Sequence, residues 1–175
     1  MSAFRGATNH VRPCGQPGPR ERLLAGSGFD NFEIRALEVM RLIFAGMSKT
    51  RPRYAPDTVM VAHTLFGCHR GGILLAGLTA FVQTMAMSRS ENFRYANPFC
   101  AGCAAVVTEN ELHLLSILHH SRRGATGRAM TYALFLCDAR PVAALLDAAA
   151  DLASLAPLTA DATLPPAAER GAGGR

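Results

Sequence analysis

The sequence predicts an all-α protein: a compact bundle of five to six helices with a disordered N-terminal arm and a flexible C-terminal tail. Three observations carry this. Hydrophobic residues are 49% of the 175, rich in Ala and Leu and poor in β-branched residues, a composition that favours helices. No stretch alternates apolar and polar residues as a half-buried strand does. The runs Asp30-x-x-Glu33 and Thr108-x-x-Glu111 have the form of capping boxes, each followed by apolar residues at helical spacing.

Residues 1–28 hold Pro13, Pro17, Pro19, several glycines and Arg5, Arg12, Arg20 and Arg22, and read as a disordered basic arm. A single helical domain is expected over 29–156. Its first helix is capped by Asp30 and Glu33 and buries Ala36, Met40, Ile43, Phe44 and Met47, with Asn31, Arg35, Glu38 and Arg41 toward the polar side. A basic loop over 48–57 is broken by Pro52 and Pro56, after which Asp57 caps a helix from Thr58 to about Cys68. Gly71-Gly72 breaks the chain, and a strongly apolar helix runs from Ile73 to Met87. That segment is shorter than the ~20 residues that span a bilayer and carries Thr79, Gln83 and Thr84, so no membrane insertion is expected.

A loop over 88–106 precedes the strongest boundary, the Thr108/Glu111 capping box ahead of Leu112, Leu114, Leu115, Ile117 and Leu118. That helix ends near His120, and another covers Thr126 to Cys137. The last starts at Pro141 and buries Val142, Leu145, Leu146, Ala149, Leu152 and Ala153. Residues 157–175 are Ala/Pro/Gly-rich and read as a flexible tail.

The net charge is +5 and the pI about 9.3, carried by 18 basic residues of which only Lys49 is a lysine. Arginine suits bidentate phosphate contacts, although a GC-rich gene produces the same bias. Five cysteines in a chain with no apolar leader point to a cytoplasmic, reducing setting with thiols free or metal-bound. The clearest chemical signal is the C-x-x-C pair Cys100 and Cys103, in the loop before the best-marked helix. Two thiols at this spacing can share a zinc ion. His113 and His120, seven apart on one helical face, and Cys137 are the candidates to complete the site, with Cys68 as a further donor. The alternatives are a redox pair, which lacks the βαβ context of thioredoxin-like proteins, and two small apolar side chains in a tight turn that uses Gly102.

No P-loop, dinucleotide fingerprint, nucleophile elbow, H-E-x-x-H or EF-hand run is present. The function expected is therefore a small non-enzymatic regulatory or adaptor protein, zinc-stabilised at the C-x-x-C loop. Its partner is a protein or a second copy, suggested by two helices that are apolar on most sides. The alternative is a nucleic-acid-binding regulator. It would use a helix-turn-helix-like segment at 107–137 with Arg122, Arg123 and Arg128, and the basic cluster Lys49, Arg51 and Arg53.

Overall fold

The computed structural model describes residues 14–47 and 55–158. In chain order these form β1 (Glu21–Leu23), α1 (Asn31–Met47), α2 (Ala55–Phe66), α3 (Cys68–Met87), α4 (Ala101–Ala104), β2 (Val106–Thr108), α5 (Glu109–Arg122), α6 (Thr126–Leu136) and α7 (Ala143–Leu155). The all-α reading holds: the described residues are mostly helical, with one two-stranded antiparallel ladder.

The centre of the bundle is α5, which packs against α1, α6 and α7, while α3 packs against α1, α2 and α7. Leu114, Leu115, Ile117 and Leu118 of α5 are fully buried, together with Leu78, Phe81 and Val82 of α3 and Ala36, Val39 and Met40 of α1. Burying each large side chain is worth roughly 1.5–3 kcal/mol, which makes this apolar seam the main stabilising element.

Both capping boxes form. Thr108 Oγ1 accepts from the Glu111 N–H and Glu111 Oε2 accepts from the Thr108 N–H. Asp30 Oδ1 accepts from the Glu33 N–H and Glu33 Oε2 from the Asp30 N–H. The two acids do more than cap, because both are fully buried and take arginines from the other helix. Arg41 of α1 reaches Glu111 through Nε at 2.7 Å and Nη2 at 3.1 Å. Arg122, the last residue of α5, and Arg123 just beyond it reach Glu33 at 2.8 and 2.6 Å. These paired ends make α1 and α5 antiparallel neighbours. Arg41, expected on the polar side of α1, is thus 3% exposed.

Other boundaries move as well. The break expected at Gly71-Gly72 lies instead at Gly67, which adopts a positive φ of 82° between α2 and α3. Gly71 sits inside α3 where that helix crosses α2. A Cβ there would come within 2.8 Å of the His63 Cα and 2.9 Å of the Ala62 carbonyl, so Gly71 serves a close crossing rather than a break. The last helix begins at Ala143, two residues after Pro141, with Val142 buried at its start.

The largest departure is at the N-terminus. The expected disordered arm includes β1, whose Glu21, Arg22 and Leu23 pair with Thr108, Val107 and Val106 of β2. The Leu24 N–H continues the contact by donating to the Ala105 carbonyl at 2.9 Å. Strands this short carry no legible alternation, and their pairing is fixed by contacts distant in sequence. The sequence beyond 158 and the 48–54 segment lie outside the described residues.

Candidate metal centre

Local bonds shape the C-x-x-C loop before any metal is considered. The Asn97 side chain accepts from the Phe99 N–H at 3.0 Å and its carbonyl accepts from the Cys100 N–H at 3.4 Å, turning the chain at Pro98. Cys100 is left extended at φ −120° and ψ 113°, and one helical turn, α4, follows. The Ala104 N–H closes that turn on the Cys100 carbonyl at 2.8 Å, which brings the Cys103 side chain back toward Cys100.

This corner is anchored by Arg41. Besides Glu111, its guanidinium donates to the Ala104 carbonyl at 2.8 Å and the Val106 carbonyl at 2.6 Å. Glu111 in turn accepts from the Ala96 N–H at 3.0 Å. One buried ion pair therefore grips the chain on both sides of the thiols. Such pairs are satisfied only when every lone pair and proton finds a partner, as here.

A third thiol arrives from the N-terminal segment. β1 carries the chain back past α4, and Cys14-Gly15 lies directly against Gly102. A Cβ on Gly102 would sit 3.0 Å from both the carbonyl carbon and the Cβ of Cys14, and Gly15 holds a positive φ of 88°. The glycine inside the C-x-x-C run is what admits the third cysteine. The Sγ atoms of Cys14, Cys100 and Cys103 all lie within 4.8 Å of one another, the one such cluster of potential metal ligands among the described residues. Tetrahedral zinc, with Zn–S bonds near 2.3 Å, sets sulfurs roughly 3.8 Å apart, so only a small contraction is needed.

The electrostatics already favour a thiolate. The Cys103 N–H and the Cys103 and Cys14 thiols donate to Cys100, holding its pKa at about 7. Cys103 shares its proton with Cys100 and is partly shielded from water, which pushes its own pKa up to about 11. The pair shares negative charge, and a metal cation would take both sulfurs ionised. A cleft of about 290 Å³ opens beside Cys14 and Cys103, with Glu21, Arg94, Asn97 and Thr108 on its walls.

The structure thus brings Cys100 and Cys103 together but not with their expected partners. His113 and His120 do share one face of α5, and that face is covered by α6. The His113 ring lies 5.9 Å from Tyr132 and from Phe135, and His120 stacks on Tyr132 at 5.4 Å. Burial lowers the pKa of both histidines. Cys137 is fully buried in the apolar core, where desolvation raises its pKa, and Cys68 is exposed at the start of α3. Cys14 carries no local sequence signal. Its place depends on β1 pairing with β2 and on the bare backbone of Gly102.

The arginines named for nucleic acid divide three ways. Lys49, Arg51 and Arg53 lie outside the described residues. Arg122 and Arg123 are engaged internally: Arg122 bonds Asp30, Glu33 and the Ala156 carbonyl and lies over the Phe32 ring, and Arg123 bonds Asp30, Glu33 and the His119 carbonyl. Only Arg128 is exposed on α6, the helix that would enter a groove. That helix presents Met130, Leu134 and Phe135 to solvent, where groove recognition needs polar side chains. No helix among the described residues is long and apolar enough to cross a membrane.

Comparison of the chain with protein-family models, with curated proteins and with solved structures found no match.

Proposed function

We propose that this is a small, non-enzymatic regulatory or adaptor protein whose N-terminal segment is stapled to its helical bundle by a zinc ion on Cys14, Cys100 and Cys103. The observation that supports this is the convergence of three Sγ atoms within 4.8 Å from the two ends of the ladder. Zinc suits the donors because thiolates are soft ligands and structural zinc sites are built on cysteine. A staple is also what the corner lacks. Without the ion, the segment before β1 is held by a short ladder and by contact with Gly102, which contribute little apolar burial. A reducing compartment would keep the thiols available for metal.

The adaptor part of the reading is supported by α6, where Met130 and Leu134, one turn apart, are 48% and 37% exposed and Phe135 is 64% exposed. Apolar side chains grouped in this way favour a protein partner or a second copy over nucleic acid.

Metal analysis of full-length protein purified without chelator, with thiol titration of the same sample, tests the centre. The expected result is about one zinc per chain, with three thiols that react only after a chelator is added. Metal-free protein with freely reactive thiols would refute it.

A further inference from the structure

Resting on that reading, we infer that the metal centre keeps one coordination position open to the adjoining cleft, and that this position takes a small thiol carrying a single carboxylate.

Three thiolates leave a tetrahedral ion one donor short. Among the described residues no fourth Cys, His, Asp or Glu side chain joins the cluster. The cleft of about 290 Å³ is lined by Cys14 and Cys103, two of the three ligands. That size is at the small end of ligand sites and fits a molecule of a few heavy atoms.

The walls select the chemistry. The Arg94 side chain makes no hydrogen bond or ion pair among the described residues, yet it lines this cleft and is held in place through its backbone, whose carbonyl accepts from Thr108 Oγ1 at 2.8 Å. An exposed guanidinium beside a metal position suits a carboxylate, which it can hold through two parallel hydrogen bonds. The Asn97 side-chain oxygen is committed to the Phe99 N–H, which directs its amide nitrogen, a donor, away from that bond. Glu21 lines the same cleft and accepts from the Gly18 N–H at 2.7 Å; its charge weakens the pull of Arg94 on any acid, and more on a ligand with two acid groups than on one with a single carboxylate. For the donor to the ion itself, sulfur matches three existing thiolates better than oxygen does. On binding, the thiol would give its proton to solvent and displace the water at the open position, one metal–sulfur bond forming as one metal–oxygen bond breaks.

The test replaces zinc by Co(II) in the full-length protein and follows the sulfur-to-cobalt charge-transfer band. Mercaptopropionate is expected to raise its intensity by roughly a third, as three sulfur ligands become four. Mercaptoethanol, lacking the carboxylate, should need on the order of tenfold higher concentration for the same change, and propionate should give none. Arg94→Gln should close the gap between the two thiols. If Co(II) binds but mercaptopropionate leaves the band unchanged, the inference fails while the staple stands. A d–d spectrum that already shows a nitrogen donor, lost on replacing the one histidine ahead of Cys14 (His10→Ala), fails it in the same way, because the chain itself then fills the position. Failure to bind Co(II) refutes both the inference and the staple. The wild-type thiol series decides the matter even if the Arg94 variant misfolds.

Discussion

At one end of the α1–α5 pair, Glu111 caps α5 and is sealed against a single arginine, Arg41, with side-chain exposures of 0% and 4%. At the other end, Glu33 closes the box of α1 and is fully buried; one partner, Arg122, is as enclosed as Arg41 at 4%, but the others reach the surface: Arg123 is 30% exposed, His119 20%, and Asp30 21%. The local sequence signature is the same, and the surroundings make two different devices. The sealed end fixes the chain around the thiols, whereas the open end ties two helix termini together with groups that water and protons can reach. A capping box specifies where a helix begins; what its acid then does is decided by what packs over it.

That contrast can be broken by mutation. Arg41→Met leaves the Glu111 carboxylate buried without a counter-charge and should cost about 3–5 kcal/mol in urea denaturation. Arg123→Met at the open end should cost about 1 kcal/mol or less, since Arg122 still serves Glu33 and exposed pairs are weak. Equal costs at the two ends would erase the distinction.

Next in size is Gly102→Ala. The added methyl meets Cys14 at 3.0 Å, so the segment must shift, at a cost of about 1–3 kcal/mol. Zinc affinity should fall while helix content by circular dichroism stays the same. An unchanged affinity would mean that the close approach does not position Cys14.

Asp30→Asn keeps an N-cap acceptor but removes a charge. Burial alone would raise the Asp30 pKa, but the Glu33 N–H, Arg122 and Arg123 outweigh it and hold the carboxyl below its ordinary 3.8. Its contribution is therefore present above that ordinary value and is lost as pH falls through the lower folded value. The variant should lose about 1 kcal/mol at neutral pH, with the deficit shrinking in acid.

The smallest effect belongs to His113. Burial lowers its pKa below the ordinary 6.5, so folding favours the neutral ring and stability drops as pH falls below that value. His113→Gln should flatten the stability–pH curve in that range by a few tenths of a kcal/mol. Stability profiles that coincide with wild type would contradict this.

The bundle was legible because helices announce themselves locally. Asp30, Glu33, Thr108 and Glu111 mark two starts, and the apolar spacing of α1 and α5 matches the faces they bury except at Met47, expected in the core and 51% exposed in the last turn of α1, where no helix among the described residues packs over it. Boundaries failed where a tertiary contact overrode a local cue, as at Gly71, which reads as a breaker and serves a helix crossing. Arg41 reads as a surface residue because nothing near it in sequence shows the carboxylate and two carbonyls it satisfies. At the thiols, the C-x-x-C spacing identified Cys100 and Cys103. Helical periodicity then pointed to His113 and His120, which do share a face, but α6 covers it. Cys14 could be found only through a short ladder and one bare glycine, features with no pattern of their own in the chain.

The most direct measurement is the zinc content of wild type, Cys100→Ser and Cys14→Ser, each purified without chelator and assayed by elemental mass spectrometry. About one zinc per wild-type chain is expected, with a comparable loss in both variants. A Cys14→Ser protein that holds zinc as tightly as wild type, or a wild type that holds none, would contradict it.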